Sequence, residues 1–562
     1  MLVFAAIAPL VAVFVLLVLA RWPATRAMPT AYLVAVVTAV WAWGMTPRVV
    51  AAATLRGAMI AMSLLWIILP ALALLYSLRE TGGLRSIRAG FYDISPDPRV
   101  QALVVAWLFG SFMEGAAGFG TPAAIAGPLL VALGFPAMAA CALALIIQST
   151  PVTFGAVGTP ILIGMGEALN VPVVVDTLEA ANIPYDEFIM AIGARAATVH
   201  AVAGLTVPFL VLAVLGRVFG SERSIRKALG MWRFALFAGV AFVVPYLLFA
   251  WLLGPEFPSL LGSLVAMAIV VPAAKHGFLL RGVEPWNFPE RENWDPRWTG
   301  TLTVSSGPGE DAPGGQPMSL PRAWSPYVLA AVLLVATRLP VLGIRQVLES
   351  VQLGWDGILG TPLSQSIQPL YLPGTMLALA ALATPLLHGK PVLPAVRRAW
   401  GDAATTLAPA ALALLFAVAL VRIFIDSGLN QTGLESMPLY LAGRLAAAVG
   451  GAWPAFAPWV GAMGAFVAGS NTVSDLMFAL FQYGVAVAAG LPVTLVLGLQ
   501  AVGGAAGNMI TVHNVVAASA TVGLVGEEGS LIRLTLLPMI IYLTIAGLLG
   551  MLLASGLLPA LL

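Results

Sequence analysis

Charged residues are scarce in this chain, and cysteine is almost absent. Only 9% of its 562 residues are Asp, Glu, Lys or Arg, whereas 60% are hydrophobic, and the mean hydropathy is +0.96. Soluble domains carry about 25% charged residues, so this composition predicts an all-α polytopic membrane protein. The single cysteine, Cys141, excludes an intramolecular disulfide and any metal site built from cysteines. The net charge of +2 argues neither for nor against a nucleic-acid partner, and we expect none.

Basic residues are also missing from the start of the chain. None precedes Arg21, so residues 1–20 lack the basic start of a secretory signal peptide and are interpreted as the first span. A bilayer crossing needs roughly 20 apolar residues. Runs of suitable length predict about twelve transmembrane helices, near 2–20, 29–45, 57–78, 136–166, 188–216, 233–253, 256–273, 325–342, 370–388, 404–425, 491–524 and 533–560.

Two further apolar regions, 101–133 and 452–488, are interrupted near their middle by small or polar residues. The interruptions are "MEGAAGFGTP" (113–122) and "AGSNTVSD" (468–475). Each region predicts a re-entrant hairpin, in which two half-length helices meet at a polar tip. Such a backbone is tolerated at membrane depth only where protein or a water-filled cavity covers it.

The distribution of charges between the spans predicts an orientation. Loop 167–187 carries five acidic residues and no basic one, whereas several neighbouring loops are rich in arginine, so we expect this loop outside. Both chain termini are then outside, and segment 274–325, with its Gly/Pro-rich stretch, is a flexible cytoplasmic linker. Arg48 and Arg56 disagree with this assignment without overturning it.

Internal similarity divides the chain into two repeats, 1–273 and 326–562, joined by the linker. "GSFMEG" (110–115) matches "GAFVAG" (464–469), and "GFP" (134–136) matches "GLP" (490–492) at nearly the same offset. Each hairpin is followed by a Gly-rich, broken helix, near 136–166 and near 491–524. On the predicted orientation the two repeats are inverted, as in secondary transporters with a site at the bilayer midplane. The alternative is that the glycines only allow close helix packing.

Five long motifs stand out in the sequence: "EGAAGFGTP" (114–122), "TPVTFGAVGTP" (150–160), "GSNTVSDLMF" (469–478), "GGAAGNMITVHNVVAA" (503–518) and "ATVGLVGEEGSLIR" (520–533). At these motifs the chain resembles the lactate permease family of bacterial monocarboxylate transporters. The resemblance implies proton-coupled uptake of L-lactate, D-lactate, glycolate or a close relative across a bacterial inner membrane, and it leaves a homodimer open. It also suggests kinship with ion-coupled carboxylate transporters whose tips carry Ser-Asn-Thr. Here only one tip, at 470–472, has that signature.

The interrupted helices predict a site for a small carboxylate. Half-helices that begin at the two tips leave N–H groups free, and their dipoles favour an anion. Hydroxyl and amide side chains add hydrogen bonds, and a 2-hydroxyl group gives a second anchor that propionate lacks. The candidate substrate-binding residues are Gly115, Gly120, Thr121, Gln148, Thr150, Thr153, Gly469, Ser470, Asn471, Thr472, Asn508 and Asn514.

Few ionisable residues lie within the predicted spans, where each costs about 2.5–3.5 kcal/mol to insert. A carboxyl in apolar surroundings can hold a proton near neutral pH, so we favour Glu114 as the proton carrier, with Asp475 and His513 as competitors. Asp475 is alternatively a helix cap and His513 a packing residue.

Three other ionisable residues within the spans are given structural roles first. His200 has only Thr198 as a polar neighbour in sequence, which favours a packing role. Arg195 and Arg422 are expected to meet an acid or reach the interface rather than bind substrate.

Other function classes fit less well. A sodium-coupled carboxylate transporter is the main alternative, since the hydroxyls and carbonyls at 470–474 could hold sodium. A channel needs no occluding hairpins, and an intramembrane enzyme needs a catalytic motif such as His-Glu-x-x-His, which is missing. We therefore expect no enzyme activity, no cofactor and no metal site.

Overall fold

The chain is almost entirely helical in a computed structural model. The structure describes residues 2–20, 22–92, 94–118, 121–300, 318–338, 342–524 and 526–556. Before the linker the helices are Leu2–Phe14, Ala24–Trp41, Pro47–Thr81, Gly83–Tyr92, Pro98–Ala117, Thr121–Ala132, Ala137–Ser149, Pro151–Leu169, Pro172–Ala180, Tyr185–Phe219, Ile225–Leu252 and Pro258–Lys275. After it they are Leu320–Arg338, Ile344–Glu349, Pro373–Leu387, Val392–Asp426, Met437–Val449, Trp453–Ala468, Asn471–Ala488, Val493–Gly507, Val512–Thr521 and Glu528–Ala554.

This architecture confirms the all-α polytopic membrane class. Over the described ranges, nine helices have at least 18 residues and enough apolar character to cross a bilayer. Strand Leu353–Trp355 pairs antiparallel with Gln365–Ile367, and Gly354 lies opposite Ser366. This short ribbon is the one sheet in the part of the chain that the structure describes.

Two long helices, Pro47–Thr81 and Val392–Asp426, pack against each other along much of their length. Each has 35 residues and is therefore about 52 Å long at about 1.5 Å per residue. The close approach depends on small residues, because a Cβ added to Gly57 would lie 2.6 Å from Ala419 Cα. The predicted spans 57–78 and 404–425 were too short, since both helices continue through polar residues at their ends.

The helix pair also explains one of the two arginines that disagreed with the charge pattern. Arg56 lies inside the first long helix, is 6% exposed, and places Nη1 3.2 Å from Asp426 Oδ1 on the second. Arg48, near the start of that helix, donates to the carbonyl oxygen of Leu359. Arg56 is therefore a buried member of an ion pair and does not belong in a count of loop charges.

Both predicted hairpins contain a helix break at the predicted tip. The first hairpin consists of helices Pro98–Ala117 and Thr121–Ala132, which pack side by side. The second consists of Trp453–Ala468 and Asn471–Ala488, which do the same. In the second, Gly469 adopts a left-handed conformation (φ 81°) that ends the first helix, a geometry that glycine adopts without steric cost.

Each hairpin is followed by a broken helix. The first broken helix runs from Ala137 to Leu169 and turns at residues 156–158, whose φ values of 43°, 56° and 76° are all left-handed. Two of these residues, Ala156 and Val157, are not glycine, so the turn is strained. The second broken helix consists of Val493–Gly507 and Val512–Thr521, separated by a short turn. Strained or interrupted backbone thus occurs at both predicted sites.

Part of the predicted linker packs against the helices. Arg99 Nη2 donates to the carbonyl oxygen of Glu284 at 2.8 Å, and Trp298 is buried against Phe219 with ring centroids 5.0 Å apart. The Gly/Pro-rich stretch 305–317 lies outside the described residues.

Candidate functional site

A small cavity lies where the two hairpin tips meet the two broken helices. Its open volume is about 30 Å³, enough for about two or three water molecules at about 10–15 Å³ each. Eight of the predicted site residues line it: Glu114, Gln148, Gly469, Ser470, Asn471, Thr472, Asn508 and Asn514. The folded chain therefore brings together polar groups that are up to about 400 residues apart in sequence.

Other predicted residues lie elsewhere. Gly115 packs against the backbone of Leu260, which a Cβ would approach to 2.5 Å. Thr150, Thr153 and Asp475 are buried without lining the cavity. Gly120 lies outside the described residues, as do the side chains of Thr121 and His513.

The second hairpin directs a helix N-terminus at the cavity. Ser470 is extended (φ −158°) and its hydroxyl makes no capping bond, so the helix begins at Asn471 without a side-chain cap. The first N–H groups of an α-helix have no partner inside the helix, and the dipole gives this end a partial positive charge. This end of an 18-residue helix is suited to an anion.

Asn471 presents a buried side-chain amide at the cavity. Its side chain is 2% exposed, and within the described residues neither the amide nitrogen nor the amide oxygen has a hydrogen-bond partner. Gly504 makes room for it, since a Cβ at that position would collide with Asn471 Oδ1. A buried polar group without a partner costs about 1–3 kcal/mol. The site thus presents a donor and an acceptor at its wall.

Glu114 faces the same cavity from the first hairpin. It is 3% exposed, and its Oε2 has no hydrogen-bond partner among the described residues. Its Oε1 lies beside Gly155 in the first broken helix, where an added Cβ would come within 2.5 Å. None of the described lining residues is Lys, Arg or His, so an anion in the cavity would face an ionised Glu114 with no basic side chain between them.

Side-chain amides connect the two broken helices at the cavity. Asn514 Nδ2 donates to Gln148 Oε1 at 3.0 Å and to Asn508 Oδ1 at 3.2 Å. Gln148 belongs to the first half of the chain and the two asparagines to the second. The position of each amide therefore depends on both halves.

The structure corrects the interpretation of Asp475 as a helix cap. Asp475 is the fifth residue of helix Asn471–Ala488 and is fully buried. Its Oδ1 lies 3.5 Å from Gln500 Nε2, and its Oδ2 has no partner in the described part of the chain. It approaches the first broken helix, because a Cβ on Gly164 would lie 3.1 Å from Asp475 Cβ. A residue in the second turn cannot cap the first N–H groups.

The prediction for His200 was incomplete. Besides Thr198, its polar neighbours include Thr153 and Tyr542: Nε2 lies 2.8 Å from Thr153 Oγ1, and Nδ1 lies 2.6 Å from the Tyr542 hydroxyl. Thr153 and Tyr542 lie far from His200 along the chain, so the sequence did not indicate that they are its partners.

Arg195 and Arg422 do not line the cavity and contact other residues. Arg422 meets an acid, as expected, with Nη2 2.6 Å from Asp426 Oδ1. Arg195 is half-buried over the ring of Trp251, 5.0 Å from its centroid.

Sequence reasoning missed six residues that line the cavity: Gly118, Val152, Gly155, Ala156, Thr159 and Pro160. Most lie in Gly-rich motifs that were recognised as helix breaks, but the side of the break that faces the cavity depends on its left-handed turn. No group of three or more His, Cys, Asp or Glu side chains suited to a metal occurs among the described residues.

Comparisons with known proteins identify the family. The family model described as L-lactate permease matches residues 3–557. A Haemophilus influenzae relative is 33% identical over 83% of this chain and 82% of its own. The Escherichia coli glycolate permease GlcA is 28% identical over 97% of this chain and 94% of its own. The Bacillus subtilis L-lactate permease is 28% identical over 84% and 81%.

Among solved structures, Neisseria gonorrhoeae MtrF aligns with a TM-score of 0.40 and 14% identity, over 87% of this chain and 81% of that chain. The match of the family model extends over nearly the whole sequence, including both hairpins and both broken helices. This chain is therefore a member of the L-lactate permease family.

Proposed function

We propose that this multi-pass membrane protein imports lactate, glycolate or a closely related 2-hydroxymonocarboxylate together with a proton across the bacterial inner membrane. Relatives that match more than 80% of the chain are named L-lactate permease and glycolate permease, which favours a transporter over an enzyme. The two repeats, 1–273 and 326–562, would supply one hairpin and one broken helix each to a site reached alternately from the two sides. Segment 274–325 is cytoplasmic and both termini are outside in this scheme.

The observation that carries the proposal is a pair of polar groups at one cavity that have no hydrogen-bond partner among the described residues. Asn471 offers an N–H donor and a carbonyl acceptor, and Glu114 offers a carboxyl oxygen. A 2-hydroxy acid has matching groups: its carboxylate accepts hydrogen bonds, and its hydroxyl both donates and accepts. The N-terminus of helix Asn471–Ala488 adds favourable potential for the carboxylate. Propionate would leave one of these polar groups unpaired and should bind more weakly.

Glu114 supplies a reason for coupling to a proton. A carboxylate substrate beside an ionised Glu114 would place two negative charges in a cavity whose described lining has no basic residue. Like charges at close range in a buried site repel strongly. Protonation of Glu114 removes one of them and allows Oε2 to donate a hydrogen bond. Carrying one proton with one anion also cancels the cost of about 2.3 kcal/mol per 100 mV for moving the anion against the membrane potential.

Uptake by purified protein in liposomes tests the transport proposal. Labelled L-lactate should accumulate when the outside is made acidic, and unlabelled glycolate or D-lactate should compete better than propionate. A sodium gradient at equal pH on both sides should drive no accumulation. Uptake that requires sodium would instead support the sodium-coupled alternative, and absence of any uptake of these acids would contradict the proposal.

Glu114→Gln separates substrate binding from proton coupling. Glutamine keeps the size and the hydrogen-bonding ability of a protonated glutamate but cannot release a proton. We expect the variant to exchange internal for external lactate at a rate within about tenfold of the unchanged protein, since binding is retained within the energy of about one hydrogen bond. Accumulation driven by a pH gradient should be lost.

Asp475→Asn and His513→Gln are the matched controls for Glu114→Gln. Both should keep accumulation if Glu114 is the proton carrier. If Glu114→Gln still accumulates lactate while Asp475→Asn or His513→Gln does not, the assignment of the carrier to Glu114 is wrong.

A further inference from the structure

We propose that His200 is a positioning residue for the candidate cavity. It holds residues next to the cavity wall in place without lining the cavity itself. Through Thr153 and Tyr542 it connects the helix break at residues 150–153, which lies just before the left-handed turn of the first broken helix, to the second half of the chain. The inference rests on the proposed function, because it concerns the geometry of the same cavity.

His200 lies at the centre of a buried chain of hydrogen bonds. It is fully buried, as are Thr150 and Thr153 in the helix break and Tyr542 in the last helix. Its Nε2 is 2.8 Å from Thr153 Oγ1 and its Nδ1 is 2.6 Å from the Tyr542 hydroxyl. Tyr542 in turn lies 3.3 Å from Thr150 Oγ1. Both ring nitrogens are thus paired with hydroxyl groups.

For a neutral imidazole, counting hydrogens fixes the direction of this chain. Thr153 has one hydroxyl hydrogen, which it donates to the carbonyl oxygen of Ala501 at 3.1 Å. It must therefore accept from His200, so the imidazole carries its hydrogen on Nε2. Nδ1 then has only a lone pair, and the Tyr542 hydroxyl donates to it. Tyr542 accepts from Thr150, and each donor of the chain is used once.

The same helix break is held by two further side chains. Tyr246 donates to the carbonyl oxygen of Thr150 at 2.8 Å, and Ser259 donates to that of Pro151 at 2.8 Å. Residues 151–154 form a short 3₁₀ helix, in which carbonyl oxygens accept from the amide three residues on, so each of these side-chain bonds uses the second lone pair of its carbonyl oxygen. Residues 150–153 are therefore held by hydrogen bonds to five other helices, which contribute His200, Tyr246, Ser259, Ala501 and Tyr542.

This fixed segment determines the wall of the cavity. Gln148 precedes the two threonines, Val152 lies between them and Gly155 follows them, and all three line the cavity. The two threonines do not line the cavity, and their hydroxyls contact Tyr542 and His200 instead. A shift of the break by a fraction of an ångström would move Gln148 away from Asn514, which donates to it at 3.0 Å.

The bonds also cross between the halves of the chain. His200 and Thr153 precede the linker, whereas Ala501 belongs to the second broken helix and Tyr542 to helix Glu528–Ala554. The Thr153–Ala501 bond therefore joins one broken helix directly to the other. Because Gln148, Asn508 and Asn514 come from these two helices, the cavity keeps its shape only while they stay in register.

A second threonine–histidine pair provides a matched control. Thr81 Oγ1 lies 2.7 Å from His388 Nδ1, and both side chains are buried. Thr81 ends the first long helix, and neither residue lines the cavity. Replacing either threonine by valine removes one hydroxyl of a buried Thr–His pair at nearly equal size.

The experiment compares Thr153→Val with Thr81→Val, using purified full-length protein in liposomes with labelled L-lactate. Thr153→Val should raise the KM for uptake by roughly three- to tenfold, the effect of losing about one hydrogen bond. Thr81→Val should leave KM within about twofold, while the two variants lose similar thermal stability. Thr153→Ser, which keeps the hydroxyl, should restore the original KM. If Thr153→Val cannot be purified, Tyr542→Phe, which removes the donor to Nδ1, should give the same rise in KM.

Equal KM values for Thr153→Val and Thr81→Val, or no rescue by Thr153→Ser, would overturn the positioning role and leave a purely structural one. Failure of the unsubstituted protein to transport lactate or glycolate is a different result, because it contradicts the proposed function before any variant is compared.

Discussion

At the scale of single residues, the arrangement of unsatisfied polar atoms points to the ligand. An amide whose two polar atoms both lack partners weakens the folded protein, and exchange for an apolar residue of similar size should relieve that cost. Asn471 is such an amide among the described residues, and it lines the cavity. A residue retained at a cost to stability is expected to contribute to binding instead.

Asn471→Leu should therefore separate stability from binding. Leucine branches at Cγ as asparagine does but has no polar atom, so we expect the unliganded protein to be as stable as before or more stable, by up to about 1–2 kcal/mol. Lactate affinity should fall by about tenfold or more, since the substrate carboxylate loses a donor. Thermal unfolding in detergent and binding of labelled lactate measure the two quantities.

Gln482→Leu is the matched control for Asn471→Leu. Gln482 is fully buried on the same helix, but it accepts from Trp453 Nε1 at 2.7 Å and donates to Gln500 Oε1 at 2.9 Å. Its replacement leaves those partners unpaired and should lower stability by about 1–3 kcal/mol. A destabilisation of Asn471→Leu as large as this would mean that the amide has a structural role.

Sequence patterns could identify those site residues whose polar side chains are energetically unfavourable within an apolar segment. Asn471, Gln148, Asn508 and Asn514 are polar side chains inside predicted spans, and all four line the cavity. His200 was assigned only a packing role, because its partner Tyr542 is 342 residues away. Hydrogen bonds across such a separation depend on tertiary packing, which no local pattern indicates.

At the scale of elements, the tip of the first hairpin is shaped against the first broken helix. Gly118 ends the first arm with φ 63° and ψ −160°, a combination that is essentially restricted to glycine. A Cβ on Gly118 would lie 2.7 Å from the Cβ of Ala156, a residue of the left-handed turn. Two irregular segments are thus in contact beside Glu114, and each limits how the other can move.

Gly118→Ala should disturb this contact strongly. The added methyl group meets both an unfavourable backbone conformation and a neighbour that has no room to retreat, since Ala156 is itself strained. We expect a loss of roughly 2–4 kcal/mol of stability or a severe loss of lactate uptake. Thermal unfolding and initial uptake rates in liposomes provide the measurements.

Gly134→Ala isolates the backbone contribution from the steric one. Gly134 ends the second arm of the same hairpin with φ 96°, and nothing lies within 4 Å of an added Cβ. Its replacement should cost only the conformational strain of about 1–2 kcal/mol and should leave the KM unchanged. If the two substitutions behave alike, the contact between tip and turn does not matter for the site.

Sequence patterns located the irregular elements better than the regular ones. Gly-rich and polar interruptions marked both hairpin tips and both broken helices. Such residues are energetically unfavourable in lipid, so their presence within an apolar segment indicates a structural or functional role. Helix Met437–Val449 was missed, since Arg444 interrupts its apolar pattern. The ends of the two 35-residue helices were also missed, as hydropathy detects only the apolar part of a helix that continues beyond it.

At the scale of the whole molecule, a buried charge network connects the long helix pair to the first broken helix. Asp426 accepts from Arg56 at 3.2 Å and from Arg422 at 2.6 Å, so one carboxylate serves two guanidinium groups. The arginines also donate to the carbonyl oxygens of Glu167 and Asn170, at 2.8 and 3.1 Å. These carbonyls end the first broken helix, where the helix dipole favours positive charge.

Asp426→Asn should be among the most destabilising single substitutions in the helix pair. It leaves two buried guanidinium groups without their shared carboxylate, and breaking a buried ion pair by removing one partner costs about 3–5 kcal/mol. Asp402→Asn is the matched control, because Asp402 pairs with Arg79 between the same two helices at an exposed position, where an ion pair contributes only about 0–1 kcal/mol. Thermal unfolding should show a much larger loss of stability for Asp426→Asn than for Asp402→Asn. Raising the salt concentration should reduce the effect of Asp402→Asn but not that of Asp426→Asn. Equal effects of the two substitutions would mean that the network does not hold the long helices to the broken helix that forms one wall of the cavity.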